Sequence, residues 1–68
     1  MPIYTAVIHP NENIPGYWAE CITVPGAFTI GDTIHETQMN MYESVSLMLE
    51  DDYPEIEDFS LQFVMSHE

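Results

Sequence analysis

The apolar and polar positions along the chain predict four strands and one helix. Residues 3–9, 17–24, 27–30 and 59–65 are rich in Val, Ile, Tyr, Phe and Trp. Because Pro, Gly and Asn punctuate the chain between several of these runs, the runs are typical of β-strands. Residues 34–49 instead repeat their apolar positions at helical spacing. Residues 50–58 are predicted to be a solvated loop, because their carboxylates would oppose the dipole at the end of the helix. The pattern predicts an α+β fold of order β-β-β-α-β, with one helix on a small, mostly antiparallel sheet.

The start of the predicted helix carries a capping signal. Thr33 is followed by Glu36, so we expect the Thr33 hydroxyl to accept the Glu36 amide and the Glu36 carboxylate to accept the Thr33 amide. Asp32 adds negative charge at the positive end of the helix dipole. The predicted inner stripe consists of residues spaced three, four or one apart: Ile34, Gln38, Met41, Val45, Met48 and Leu49.

The first strand is apolar on both faces. Ile3, Thr5 and Val7 alternate with Tyr4, Ala6 and Ile8. One helix covers only one face of a sheet, so this strand needs a second cover, and we expect a matching subunit to supply it. The predicted assembly is a homo-oligomer, a dimer or higher. On the second strand, one predicted face carries Trp18, Glu20, Ile22 and Val24. The Trp beside the Glu gives this face a mixed character that suits a contact surface.

Length and charge narrow the class of protein. Sixty-eight residues predict a single domain over residues 1–68. Twelve acidic residues, no Lys and no Arg give a formal charge of −12, so we expect no direct binding to nucleic acid, whose phosphates nothing here neutralises. Acidity favours solubility, but this much self-repulsion also favours a partner with a basic surface. The single cysteine, the absence of a basic n-region at the start and the lack of an apolar run near membrane length predict a cytoplasmic, non-membrane protein.

The residues with reactive side chains form no recognisable catalytic or metal-binding motif. His35-Glu36 begins like a helical zinc motif, but Met39 stands where the second histidine belongs. Cys21 has no cation nearby in sequence and is predicted to be inert packing. His67, in the tail, is expected to be a surface residue. We therefore expect no enzyme activity, no catalytic residue, no metal and no cofactor.

Several motifs, in this order, resemble the HicB antitoxin family and its short HicB-like relatives. They are residues 4–8 (YTAVI), 16–19 (GYWA), 24–26 (VPG) and 31–33 (GDT), followed by Glu36, Asn40 and Glu43. The resemblance covers about the first fifty residues. It implies a partial ribonuclease-H-like domain that assembles as a dimer or higher oligomer and binds a small basic HicA toxin, an mRNA-cleaving ribonuclease. Many HicB proteins carry a C-terminal DNA-binding domain; we expect a short form without one.

The charge and the resemblance lead to one functional hypothesis. We expect an antitoxin-type binding protein that covers the RNA-binding and active-site surface of a HicA-like toxin. An acidic nucleic-acid mimic that inhibits a DNA-binding protein, or an orphan HicB-like protein of other role, are the alternatives. The predicted partner-binding residues, for each of which ordinary solvated surface is the competing interpretation, are Trp18, Glu20, Glu36, Met39, Glu43 and Leu47.

Overall fold

A computed structural model describes residues 1–66 and confirms the α+β class and the β-β-β-α-β order. The strands are β1 (Ile3–Pro10), β2 (Tyr17–Cys21), β3 (Phe28–Gly31) and β4 (Ser60–Met65), and the helix is α1 (Ile34–Asp52). They form a sheet of order β3-β2-β1-β4, in which β1–β2 and β2–β3 are antiparallel and β1–β4 is parallel. His67 lies outside the described residues.

The core lies between α1 and one face of the sheet. Ala6 and Ile8 of β1 and Ala19 of β2 are fully buried there, opposite Met41 and Val45 of the helix. The small alanines allow the helix to approach the sheet closely, which is how so short a chain buries a continuous apolar layer. As predicted, the single helix covers only one face of β1. The side chains that alternate with Ala6 and Ile8 point to the opposite side.

The second strand is shorter than the predicted 17–24, because the chain turns away after Cys21. The Thr5 amide of β1 donates to Thr23 Oγ1 at 2.9 Å and not to a backbone carbonyl of β2, so the regular pairing of the two strands stops here. The Ala27 amide donates to the Val24 carbonyl at 3.3 Å, closing a turn at Pro25-Gly26. Gly26 has φ of +99°, which favours glycine. Val24, predicted to share the face of Trp18, is instead turned into the core.

The start of α1 confirms one half of the predicted capping box and corrects the other. The Thr33 hydroxyl accepts the Glu36 amide at 3.0 Å, as expected. The Glu36 carboxylate accepts the amide of Asp32 at 3.1 Å and not that of Thr33, so it reaches one residue further back. The first bond satisfies one of the free amides of the first helical turn, and the second satisfies an amide just before the helix.

The buried stripe of α1 confirms Met41, Val45 and Leu49 and differs from the predicted one near the start of the helix. Its members are spaced four apart: Thr37, Met41, Val45 and Leu49. Ile34 is 38% exposed, and Gln38 is half-buried. Thr37 takes their place because its hydroxyl donates to the Thr33 carbonyl at 2.7 Å, so a polar side chain is buried without an unsatisfied group.

The helix also ends three residues later than the predicted Leu49. Residues 50–52, predicted to be solvated loop, form its last turn despite three carboxylates that oppose the dipole. The Tyr53 amide still donates to the Leu49 carbonyl at 2.8 Å. Pro54 sets the end, since the residue before a proline is disfavoured in the helical region, and Tyr53 has φ of −139° and ψ of 63°.

Candidate functional site

The side of α1 that faces away from the sheet carries four of the six predicted partner-binding residues. We call this set the outer helix face: Glu36, Met39, Glu43 and Leu47, all exposed. At about 100° per residue these positions lie opposite the buried stripe. Met39 is 61% exposed and Leu47 57% exposed. The helical spacing therefore placed both apolar side chains correctly on the solvent-exposed side of the helix.

A shallow groove extends the outer helix face toward β4. It measures about 220 Å³ and is lined by His35, Gln38, Met39, Tyr42 and Phe63. The Tyr42 ring stacks on Phe59 with centroids 4.8 Å apart, and its hydroxyl donates to the Phe59 carbonyl at 2.8 Å. Met39 therefore belongs to a larger apolar surface that includes an aromatic ring from the last strand. The sequence pattern missed Phe63 as a neighbour because only the parallel pairing of β1 with β4 brings that strand beside the helix.

The carboxylates are concentrated at the far end of the same helix. Six exposed acidic residues occupy the last turn and the loop that follows: Glu50, Asp51, Asp52, Glu55, Glu57 and Asp58. The chain has no Lys or Arg to pair with them. Unpaired like charges at this density project a negative field that attracts a cationic surface.

The other two predicted residues lie on a different side of the molecule. Trp18 and Glu20 stand on the face of the sheet that α1 does not cover. Trp18 stacks on His9 with centroids 4.0 Å apart and an interplanar angle of 11°, and His9 Nε2 lies 2.9 Å from Glu20 Oε2. In residues 1–66 this is the one ion pair, and it is charged only when the histidine is protonated. The structure thus divides the predicted set into two separate surfaces.

An apolar pocket, separate from the groove beside Met39, lies where α1 ends. It has a volume of about 440 Å³, and its walls include Tyr4, Val24, Met48, Tyr53 and Ile56. Thr23, Pro25, Leu49 and Asp52 complete its lining. The sequence pattern did not predict this pocket, because the pocket forms only where the turn at Pro25-Gly26 carries Val24 toward the core.

The reactive side chains remain scattered within the described part of the chain. Cys21 is a buried free thiol in the core. Residues 1–66 contain no group of three His, Cys, Asp or Glu side chains arranged to hold a metal ion. In that same range, the one helix falls short of the length and apolar character needed to cross a bilayer.

Comparison with known proteins shows a similarity to a UPF0150 protein. That protein comes from Synechocystis sp. (strain ATCC 27184 / PCC 6803 / Kazusa), and the two are 43% identical over 47 residues. These residues make up 69% of this chain and 64% of the length of the relative. No protein-family model matches the chain, and no solved structure matches it.

Proposed function

We propose that this protein is an antitoxin that neutralises a small, basic, HicA-like mRNA-cleaving toxin by lying over its RNA-binding and active-site surface. The observation that carries the proposal is the outer helix face: two exposed apolar side chains, Met39 and Leu47, between carboxylates in a chain without Lys or Arg. The UPF0150 family of the Synechocystis relative is related to HicB-like antitoxins, which agrees with the motifs that resemble HicB.

The proposed mechanism is occlusion. Carboxylates of the outer helix face and of residues 50–58 occupy the places where RNA phosphates would lie on the toxin, and complementary charge steers the encounter. Met39, with the groove beside Phe63, and Leu47 bury apolar surface of the toxin. Glu36 also caps the helix through Asp32, so its carboxylate has one oxygen engaged before any partner arrives. No catalysis, metal or cofactor is required of this chain.

The proposal is tested by co-expression with the product of the adjacent gene. We expect that product to be small and basic, to arrest growth when produced alone, and to form a stable complex with this protein that restores growth. Glu43→Lys should weaken the complex about tenfold or more, since it places a like charge against the basic partner. Glu12→Lys on the β1–β2 loop is the matched control. It changes the net charge equally but belongs neither to the outer helix face nor to residues 50–58, so its effect should stay within about threefold.

Two results would contradict the proposal. One is a neighbouring product that is neither small nor basic and is not toxic. The other is an equal loss of affinity in the Glu43→Lys and Glu12→Lys variants, which would mean that only net charge matters and the outer helix face has no special role.

A nucleic-acid mimic is the second candidate, favoured by the six exposed carboxylates of residues 50–58. A mimic uses charge alone, so it would compete with DNA for many basic proteins and lose affinity steeply with added salt. An antitoxin prefers one partner and depends on Met39 and Leu47. Replacing both by Ser leaves the charge unchanged. A mimic would tolerate that double substitution, whereas the proposed complex would be weakened.

A further inference from the structure

The pocket at the end of α1 combines apolar walls with one carboxylate. Val24 and Leu49 form buried parts of its wall, and Tyr53, also in the lining, is 52% exposed, so its ring can be reached from solvent. Of the lining residues in the described chain, only Asp52 is an acid. The volume of about 440 Å³ lies within the range of small-ligand pockets, about 300–1,000 Å³, which are typically apolar with a few polar groups.

Two walls of the pocket are held in place by contacts within the chain. The Tyr4 ring packs on Phe59, with ring centroids 5.9 Å apart. The Ile56 amide donates to the Tyr53 carbonyl at 3.0 Å, which closes the turn that follows the helix. The pocket is therefore formed before a partner arrives, and a ligand has to order little of the chain when it binds.

We propose that this pocket receives an arginine side chain of a basic protein partner. The methylene groups of the arginine pack on the apolar wall, and its guanidinium lies against the rings of Tyr4 and Tyr53 with Asp52 as the counter-ion. The partner is the toxin of the proposed function, on which this assignment rests, and the pocket supplies one defined contact with it besides the outer helix face.

The charge of the chain selects a cation as the occupant. Asp52 is one of six exposed carboxylates in residues 50–58, which repel an anionic ligand. The chain has no Lys or Arg, and the one ion pair within residues 1–66, His9 with Glu20, lies on the side of the sheet that α1 does not cover. Asp52 is therefore left for a cation from another molecule. A second copy of this chain has no Lys or Arg to offer.

Arginine suits this lining better than lysine. Its guanidinium is planar and weakly hydrated, stacks on aromatic rings and binds a carboxylate through two parallel hydrogen bonds. A lysine ammonium is a compact, strongly hydrated charge, so it gains less from apolar and aromatic walls. Tyr4 and Tyr53 supply the rings, and Val24 and Leu49 supply apolar surface for the stem.

NMR titration of the isotope-labelled full chain tests the assignment. The ligand is the capped peptide acetyl-Gly-Arg-Gly-amide, and its matched control carries citrulline, which keeps the shape of arginine but lacks the charge. We expect the arginine peptide to shift the amide signals of Val24, Tyr53 and Ile56. The citrulline peptide should bind about tenfold more weakly, because it loses both the ion pair and the cation–π contact. The corresponding lysine peptide should bind about threefold more weakly.

Asp52→Asn and Asp51→Asn are matched variants of the chain. Each removes one carboxylate from the last turn of α1 at nearly constant size and relieves the same unfavourable charge at the end of the helix dipole, so both should fold. Of these two residues, Asp52 lines the pocket and Asp51 does not. Asp52→Asn should weaken binding of the arginine peptide, and of the toxin, about fivefold, whereas Asp51→Asn should weaken either by less than about twofold.

Other results would overturn the assignment. They are no binding of the arginine peptide, equal binding of the citrulline or lysine peptide, shifts only outside the pocket, or equal effects of the two variants. Peptide binding together with a toxin complex that Asp52→Asn leaves unchanged would show that the partner's arginine does not occupy the pocket. Failure of the peptide alone refutes only the pocket assignment, whereas failure of the parent protein to bind the toxin refutes the antitoxin proposal itself.

Discussion

Gly31→Ala provides the sharpest test of how the helix is seated on the sheet. A Cβ at position 31 would lie 2.5 Å from Thr37 Oγ1, 2.7 Å from Thr37 N and 3.0 Å from Thr37 Cα. Ordinary van der Waals separation begins at 3.4 Å. The first turns of α1 would therefore have to move away from β3 by roughly 0.7 Å or more, since the backbone nitrogen cannot rotate aside as a side chain can.

The expected destabilisation follows from that displacement. Overpacking of this kind costs about 1–3 kcal/mol. A radial gap of about 0.5–1 Å also removes a quarter to a half of the dispersion attraction between the separated atoms, and Met41 and Val45 lie just along the helix in the fully buried core. Alanine restricts the unfolded chain, which offsets at most about 1 kcal/mol. We expect a net destabilisation near 2 kcal/mol, which corresponds to a fall in Tm of roughly 8–16 °C for a domain of this size.

Urea and thermal unfolding followed by circular dichroism measure this destabilisation, with protein concentration held fixed because self-association shifts the apparent stability. Thr37→Ala in the Gly31→Ala background is the internal control. It removes Oγ1 but leaves the nitrogen and Cα, so it should restore less than half of the original stability difference. A change below about 0.5 kcal/mol in Gly31→Ala, or full recovery in the double variant, would show that the backbones are not in close approach.

Three further predictions concern two side chains of α1 and the net charge of the chain. Asp51→Lys replaces an exposed carboxylate in the last helical turn by a cation, and it should raise the free energy of unfolding by about 0.3–1 kcal/mol, whereas Glu12→Lys, with the same charge change away from that turn, should raise it less. Tyr42→Phe keeps the ring against Phe59 but loses the hydroxyl bond to the Phe59 carbonyl, so urea unfolding should show a destabilisation of about 0.5–1.5 kcal/mol; an unchanged midpoint would mean that water replaces this bond at no cost. Added NaCl should raise Tm because the Debye length shortens from about 10 Å at 0.1 M to about 3 Å at 1 M, and a flat Tm would show that the carboxylates are already far enough apart.

Local patterns in the sequence predicted the strands and the helix, but they did not predict which side chains of the helix contact the sheet. The alternation of residues 59–65 and the period of residues 34–49 predicted strand and helix correctly, since each pattern is set by neighbours in sequence. The inner stripe was shifted toward Thr37 because hydroxyl bonding to Thr33 and the missing side chain of Gly31 are pairwise facts that hydrophobicity does not encode. Helix dipole arguments ended α1 at Leu49, but a few tenths of a kcal/mol per charge did not outweigh the continued backbone bonds before Pro54.

The sequence predicted which residues of the candidate site are exposed, but not which of them lie on the same surface. Exposure of Met39 and Leu47 followed from the helical period, and so did their separation from the core. Grouping them with Trp18 and Glu20 required knowing which side of the sheet the helix covers, and the alternation along β2 leaves that choice open. Phe63 entered the groove beside Met39 only through the pairing of β4 with β1, which are more than fifty residues apart.

The absence of Lys and Arg gives the predicted self-association and the proposed toxin contact opposite responses to salt. Self-association, predicted from the two apolar faces of the first strand, joins chains of charge −12, so screening reduces their mutual repulsion and should strengthen the oligomer as NaCl rises. Contact through the outer helix face joins opposite charges, so the same screening should slow association and weaken the complex with a basic partner. Sedimentation of the protein alone and titration of the complex over the same salt series measure both signs. If both equilibria weakened with salt, attraction between unlike charges would be contributing to self-association, and burial of the second apolar face of the first strand would not be its main cause.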